Sequence, residues 1–331
     1  MPNGFSVIGY SRAADKTAFY VPETRYLYHA AEFVFERELT LSHRWFLDAG
    51  GMAVAAHRPS HVFITHCHSD HVYNLPNLVS SRHHTNVYGP QESVELIANL
   101  VDAAQKLNAN TSDTSAFYYA QMDLKGVSPG DVIEIGDKAQ HVVRTVQVQA
   151  HHRLVAVGAI VRETHLWRRR RWRCVGYQCR HGVPCVGYLF YTKRTKLKPE
   201  FTGLPGKEIA ALRKQGIEVQ MSHEVPLLAF LGDTSIELFR DEATCEQLLP
   251  AFPIVFCECT ALSDSDLSPE EATARGHIHW EQLREVVERY PDTTFVLIHF
   301  SSRYRPFEIR EFFERQRAEN PGKYLNVLAW I

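Results

Sequence analysis

The chain has 331 residues, enough to bury a substantial core, and its 45% hydrophobic and 22% charged content is ordinary for a soluble globular protein. No window approaches the run of about 20 apolar residues that spans a bilayer, and MPNGFSVIGYSR lacks the charged-then-apolar pattern of a signal peptide. Seven irregularly spaced cysteines fit a reducing compartment better than a disulfide framework, so the expected location is cytoplasmic, with nuclear or organellar import as alternatives.

In chain order, EFVFERELTLSHRWFLDAG (32–50) reads as strands with turn signals, and HVFITH (61–66) as a short strand leading into a histidine loop. GPQESVELIANLVDAAQKL (89–107) has helical apolar spacing after a Gly-Pro start. VSPGDVIEIG (127–136) reads as turn then strand, and QHVVRTVQVQ (140–149) alternates like a half-buried strand. The middle is irregular, with a basic aromatic run and two VGY strands that suggest an inserted hairpin or arm over 160–216. PGKEIAALRKQG is a short helix closed by Gly216. VPLLAFLGDTS (225–235) and FPIVFCECTAL (252–262) are buried strands ending in acids, HWEQLREVVERY (279–290) an amphipathic helix, and TTFVLIHFSSRY (293–304) a third buried strand. Strands alternating with helices, with polar residues at strand ends, predict a layered α/β protein whose site lies along a sheet edge.

The net charge of −2 conceals an asymmetry. Between Arg162 and Lys198 eleven Lys or Arg stand against one acid, Glu163, a local net of +10 against −12 for the rest. A basic segment on an acidic body points to a polyanionic partner, nucleic acid first.

FITHCHSDHVYNLPNL (63–78) concentrates His66, His68, Asp70 and His71 in six positions after an apolar strand. In a loop, the spacing lets His66 and His68 converge on one ion while Asp70 and His71 turn toward a second, and imidazole with carboxylate suits zinc or similar divalent metals. One loop cannot complete two coordination spheres. Asp233 in FLGDTS and His299 in VLIHFS each follow an apolar strand, where stiff backbone fixes a ligand well. His181, just before a strand, and His151 and His152, between two strands, are the candidates for a remaining histidine, and spacing does not choose among them.

The ordered series FITHCHSDHVYNLPNL, HGVPCVGY, GDT, ECT, GHIH and HFSSRY, over roughly residues 47 to 305, resembles ribonuclease Z, the tRNA 3′-processing endoribonuclease of the metallo-β-lactamase superfamily. That resemblance implies a single domain with the αββα sandwich of the superfamily, two facing sheets with helices outside, plus an inserted basic arm. It implies two zinc ions per chain, with manganese or another divalent ion as alternatives. His66, His68 and His181 would bind one, and Asp70, His71 and His299 the other, with Asp233 between them. His181 is preferred because the family's H-x-V-P-x-x-G-Y pattern matches there and fails around His151. The resemblance also implies a water-derived hydroxide attacking phosphorus, with Asp70 taking its proton. A Glu258–His277 pair, with His279 as runner-up, would protonate the leaving ribose oxygen. Arg303 and Tyr304 would support the phosphate pocket. The implied partner is precursor tRNA, gripped by the arm, and the implied assembly a homodimer.

WRRRRWR, carrying Arg168, Arg169, Arg170 and Arg171, has the composition of such an arm, since arginines contact phosphates and tryptophans stack on bases. The sequence departs from the family in three places: VIGYSRAADKT stands where a glycine-rich opening is usual, Asn74 and Asn77 replace frequent glycines, and the basic segment replaces the Gly-Pro exosite of many bacterial members. Cys174, Cys179 and Cys185 allow a separate structural zinc, although C-x4-C-x5-C is no standard finger spacing. The competing readings are a superfamily hydrolase acting on another phosphodiester or small ester, and an RNA-binding module with a degenerate site. Competent residue types at all seven ligand positions argue against degeneracy.

Overall fold

In the strand Arg44–Leu47, Trp45 and Leu47 turn to one side and Phe46 to the other, yet all three are buried. The strands Ile254–Glu258 and Thr294–Ile298 repeat this two-sided burial, the pattern of a sheet covered on both faces. The computed structural model describes residues 44–50, 59–79, 84–112, 122–136, 141–147 and 183–331, together with strand segments 7–10, 16–19, 27–29 and 32–36.

One sheet has six strands in chain order: β3 (Leu27–His29), β4 (Glu32–Glu36), β5 (Arg44–Leu47), β6 (His61–Phe63), β7 (Thr85–Pro90) and β8 (Met122–Val127). The pairs from β5 to β8 are parallel. A separate pair, β1 (Val7–Tyr10) and β2 (Lys16–Phe19), precedes it. The second sheet has seven strands: β9 (Val132–Ile135), β10 (His141–Gln147), β11 (Val186–Leu197), β12 (Gln220–Phe230), β13 (Ile254–Glu258), β14 (Thr294–Ile298) and β15 (Val327–Ala329). Its pairs are antiparallel from β9 to β12 and parallel from β12 to β15.

Trp45, Leu47, Phe63 and Tyr88 of the first sheet pack with Tyr188, Phe190, Leu228, Phe230 and Phe256 of the second, so the main core lies between the sheets. The other face of the first sheet (Phe46, Val62, Ile64, Val87) is covered by α1 (Ser69–Val72), α2 (Leu75–Val79) and α3 (Val94–Ala109). On the outer face of the second sheet lie α5 (Glu237–Arg240), α6 (Glu242–Leu248), α8 (Trp280–Arg289) and α9 (Pro306–Glu319), over Ala229, Val255, Cys257, Phe295 and Leu297. The αββα sandwich expected from the motif series is the observed architecture. No helix among the described residues is long and apolar enough to cross a membrane.

The segment read as irregular contains one long regular strand. β11 pairs with β10 only as far as Thr192, whereas its pairing with β12 continues to Leu197 and Gln220. Residues 193–197 and 220–224 therefore leave the sheet as a two-stranded ribbon. It carries α4 (Gly206–Lys214) near its tip, closed by Gly216 at φ 79°. Arg144 on β10 grips Glu224 bidentately at 3.0 Å and anchors its base. Of the arm expected over 160–216, residues up to 182 lie outside the described residues and 186–192 belong to the sheet; the projecting part is 193–224.

Gly50 illustrates how tightly the loops at the sheet edge meet. A Cβ there would stand 1.5 Å from the Asp70 carbonyl oxygen and 3.0 Å from the His71 nitrogen, both backbone atoms that cannot swing aside. Gly50→Ala should therefore destabilise the protein by about 3 kcal/mol or more, since overpacking against backbone is relieved only by moving the chain. Thermal denaturation of the variant checks this, and an unchanged midpoint would contradict the close approach.

Candidate active site

The parallel strands of both sheets end at one edge, where the segments that follow β5, β6, β12 and β14 carry Asp48, His66–His71, Asp233 and His299, and Glu258 is the last residue of β13. Hydrogen bonds join the sheets there, among them the Val186 N–H to the Thr65 carbonyl at 3.0 Å and the Tyr188 hydroxyl to the Ile64 carbonyl at 2.8 Å. Asp48 and His299 both adopt positive φ, 60° and 58°, an uncommon conformation for non-glycine residues that tends to mark functional sites. Gly232, just before Asp233, has φ 62°, and a Cβ there would come within 2.8 Å of the Thr65 side chain. That position requires glycine.

Asp48 was not singled out from the sequence, although FLDAG shows the same apolar run ending in an acid that marked Asp233. Its buried carboxylate accepts the Thr65 N–H at 2.7 Å and meets His71 Nδ1 at 2.8 Å. The His71 Nδ1 is thereby the protonated nitrogen, and Nε2 is turned into the site. Asn74 holds the Asp48 loop from the other side: its N–H donates to Ala49 and its Nδ2 to the Gly50 carbonyl, each at 2.8 Å. A substituted glycine thus serves as a clamp between the two loops.

Asp233 is the centre of the cluster. It is 2% exposed, with Oδ1 3.5 Å from His71 Nε2, and Oδ2 3.6 Å from His66 Nε2 and 3.2 Å from His299 Nε2. Asp70, largely exposed, approaches His299 Nε2 at 3.4 Å and His71 Nε2 at 3.7 Å. His66 Nε2 and His68 Nδ1 stand 2.9 Å apart. Ligand-type atoms of His66, His71 and Asp233 lie within 4.8 Å of one another, and so do those of Asp70, His71 and His299. Both His71 Nε2 and Asp233 Oδ1 are buried without a hydrogen-bond partner. Two buried lone-pair atoms facing each other with no donor between them are what a cation would satisfy, and nitrogen with oxygen ligands suits zinc or a similar divalent metal. The donor set fits a metal centre.

The charges follow the same geometry. Burial works against an ionised Asp233, but His299, His71 and His66 prevail and hold it well below the usual carboxylate range. Asp70 is also held well below that range, chiefly by its hydrogen bond to His299. Burial, with His71 nearby, keeps His66 neutral. Burial likewise opposes a charge on His299, yet Asp233, Asp70 and Glu258 outweigh it and raise the ring to about 9.

Glu258, fully buried, accepts the Thr234 N–H at 2.8 Å, the Thr260 hydroxyl at 2.5 Å and the Ile278 N–H at 3.2 Å, and lies 3.0 Å from His277 Nδ1. Burial opposes protonation of His277, but Glu258 prevails and raises it above its ordinary value. His279 has a different place. Its Nδ1 accepts the Glu281 N–H at 3.1 Å as the N-cap of α8, which keeps it away from Glu258. Arg303 and Tyr304 brace a neighbouring loop: the Arg303 guanidinium donates to the Asp266 carbonyl, and the Tyr304 hydroxyl accepts the Leu262 N–H at 2.9 Å. Burial first raises the Tyr304 phenol, to about 12. His181, His151, His152, Arg168–Arg171, Cys174 and Cys179 lie outside the described residues. Cys185 is a buried thiol that donates to the Asp233 carbonyl.

The two-sheet sandwich with this histidine–aspartate edge is the metallo-β-lactamase fold. The metallo-β-lactamase superfamily's sequence model matches residues 48–161. Its curated relatives bear out the narrower resemblance to ribonuclease Z. The chain is 30% identical over 265 residues to the chloroplastic tRNase Z TRZ2 of Arabidopsis thaliana, covering 80% of this chain and 64% of that protein. It is 27% identical over 255 residues to tRNase Z TRZ1 of the same organism, covering 76% and 75%. Ribonuclease BN of Salmonella heidelberg (strain SL476) is 25% identical over 256 residues, covering 73% and 71%.

A proton sits where a metal would bind. With His299 raised to about 9, its Nε2 is protonated at neutral pH, and a cation taking that lone pair must expel the proton. Zinc binding to the metal-free protein at neutral pH should release roughly one proton or more, and affinity should weaken as the pH falls from about 9. Calorimetric titration in two buffers of different protonation enthalpy measures the release; none at all would remove His299 from the ligand set.

Proposed function

We propose that this protein is a metal-dependent endoribonuclease that removes the 3′ trailer from precursor tRNA, leaving a 3′-hydroxyl on the tRNA. The observation that carries the reading is the convergence, at one sheet edge, of the histidine–aspartate cluster with the Glu258–His277 pair. The tRNase Z names of the relatives support the substrate. Two zinc ions are the proposed cofactor. His66, His68 and His181 would hold one, and Asp70, His71 and His299 the other. Asp233 would be shared, and the division of its two oxygens among three histidines supports that role.

When bound, such a metal pair activates water for in-line attack on phosphorus and offsets charge on the phosphate oxygens. The residues of the chain supply the proton transfers. Asp70 would accept the proton of the attacking water, a role that its ionised state and its exposure of more than half support. His277 keeps its proton near neutral pH because Glu258 faces Nδ1, which makes it a competent acid for the leaving ribose oxygen. Arg303 and Tyr304 would act on substrate through the loop they brace.

RNA beyond the cleaved bond would be held by the basic segments. Residues 193–218 carry seven Lys or Arg and three Glu, and Arg194, Lys196, Lys207, Arg213 and Lys214 are exposed on the ribbon and α4. Arg168–Arg171 belong to the same reading, as does a homodimer. Replacing Arg168–Arg171, or Arg194 with Lys196 and Lys207, by alanine should raise KM for pre-tRNA about tenfold or more, since each phosphate contact contributes to a salt-dependent affinity. Hydrolysis of bis(p-nitrophenyl) phosphate should be spared; equal loss on both substrates would sink the arm assignment.

The central test is incubation with a 3′-extended pre-tRNA, comparing wild type with Asp70→Ala. Wild type should cut near the discriminator base, and the variant should lose about a hundredfold or more of that rate, the order expected when a metal-site carboxylate is removed. If metal-loaded wild type leaves the pre-tRNA intact yet cleaves bis(p-nitrophenyl) phosphate, the protein is a phosphodiesterase with another substrate.

A further inference from the structure

Thr260 lies between the two halves of the site, and its hydroxyl makes more contacts there than a packing residue needs. Oγ1 is 2.5 Å from Glu258 Oε2, 3.1 Å from His299 Nδ1, 3.1 Å from the His299 carbonyl oxygen and 3.4 Å from His277 Nδ1. A hydroxyl has one proton to give. The shortest contact goes to a carboxylate, which only accepts, so that proton is donated to Glu258. The lone pairs of Oγ1 remain, and His299 Nδ1 can meet them only as an N–H donor. When the ring gives up its other proton, it is left as the tautomer whose lone pair is on Nε2, the atom facing Asp70 and Asp233.

The same construction occurs on the other sheet. The Thr65 hydroxyl lies 2.9 Å from Asp48 Oδ2 and 3.0 Å from Oδ1, and 3.1 Å from His66 Nδ1, with His66 Nε2 turned to Asp233. In each case a buried carboxylate fixes a threonine hydroxyl, and the hydroxyl fixes a histidine ring. His71 differs only in meeting its carboxylate directly.

We propose that Thr260 is a positioning residue: its hydroxyl, held by Glu258, sets the tautomer and orientation of His299, and so ties the metal cluster to the Glu258–His277 pair. The assignment rests on the reading of His299 as a metal ligand. It gives the ECT motif a function beyond its glutamate, and it explains how His299 keeps one ring orientation at a backbone position with φ 58° and partial exposure.

The test compares zinc affinity, by competition with a chromophoric chelator, for wild type, Thr260→Val and Thr260→Ser, with thermal midpoints of the metal-free proteins as a folding control. Valine keeps the shape and loses the hydroxyl, and should weaken the affected zinc site about 10- to 100-fold, while serine should restore it to within about threefold of wild type. Thr260→Ala carries the same expectation as valine and serves if the valine variant fails to fold. Loss in both valine and alanine variants with rescue by serine supports the assignment. If wild type loads zinc and the valine or alanine variant binds it equally well, or if serine fails to rescue, Thr260 is not a positioning residue and the metal reading stands. If wild type itself takes up no zinc, the metal reading fails and the assignment with it.

Discussion

Everything at the sheet edge depends on keeping Asp233 ionised while it is 2% exposed to water. An isolated buried carboxylate would take up a proton, because desolvation penalises its charge heavily. Here three imidazoles turn Nε2 toward it, and the positive charge that His299 and His71 carry offsets its own. Rings do not hold such an orientation unaided. Each is fixed from behind at Nδ1, His71 by Asp48 and His66 and His299 through the hydroxyls of Thr65 and Thr260. The outer ring of carboxylates and hydroxyls is therefore as much a part of the centre as the inner ring of nitrogens.

That requirement passes into the backbone. Asp48 and His299 take positive φ, and Gly232 lies too close to Thr65 for any side chain of its own. Gly50 approaches the Asp70 carbonyl equally closely, and Asn74 clamps the same pair of loops with its amide. Such close, strained turns persist only where rigid elements over-determine them. The sandwich provides this: the aromatic core between the sheets fixes the strands, and every loop of the site begins at the end of a strand that is buried on both faces. By contrast, among the described residues the projecting ribbon packs on no core cluster, and α4 buries none of its residues. A surface of that kind suits contact with a large partner better than the precise placement of reacting groups.

The metal-type residues were legible because they cluster in sequence or end an apolar run. His66, His68, Asp70 and His71 share one loop, and Asp233 and His299 follow buried strands. Asp48 carries the same signature in FLDAG, which does not by itself separate a ligand from a residue that orients one. The choice between His277 and His279 could not be made by spacing, since the two are separated by one residue. Local geometry separates them: His279 gives its Nδ1 to the start of α8, and His277 gives its own to Glu258. The arm was expected over 160–216 and not with the ribbon's bounds, because strands 193–197 and 220–224 pair across a separation that alternation within either segment does not record.

The sequence alone determined the residue types at the ligand positions, the two-sided burial of the strands and the order of the motifs, because these depend on composition and short-range periodicity. Which nitrogen of each histidine faces the centre was decided by the tertiary structure. Those nitrogens are set by hydrogen bonds between residues 23 apart in the chain, as with Asp48 and His71, or 39 apart, as with Thr260 and His299. Only the meeting of the two sheets at one edge brings such partners within 3 Å or so of each other.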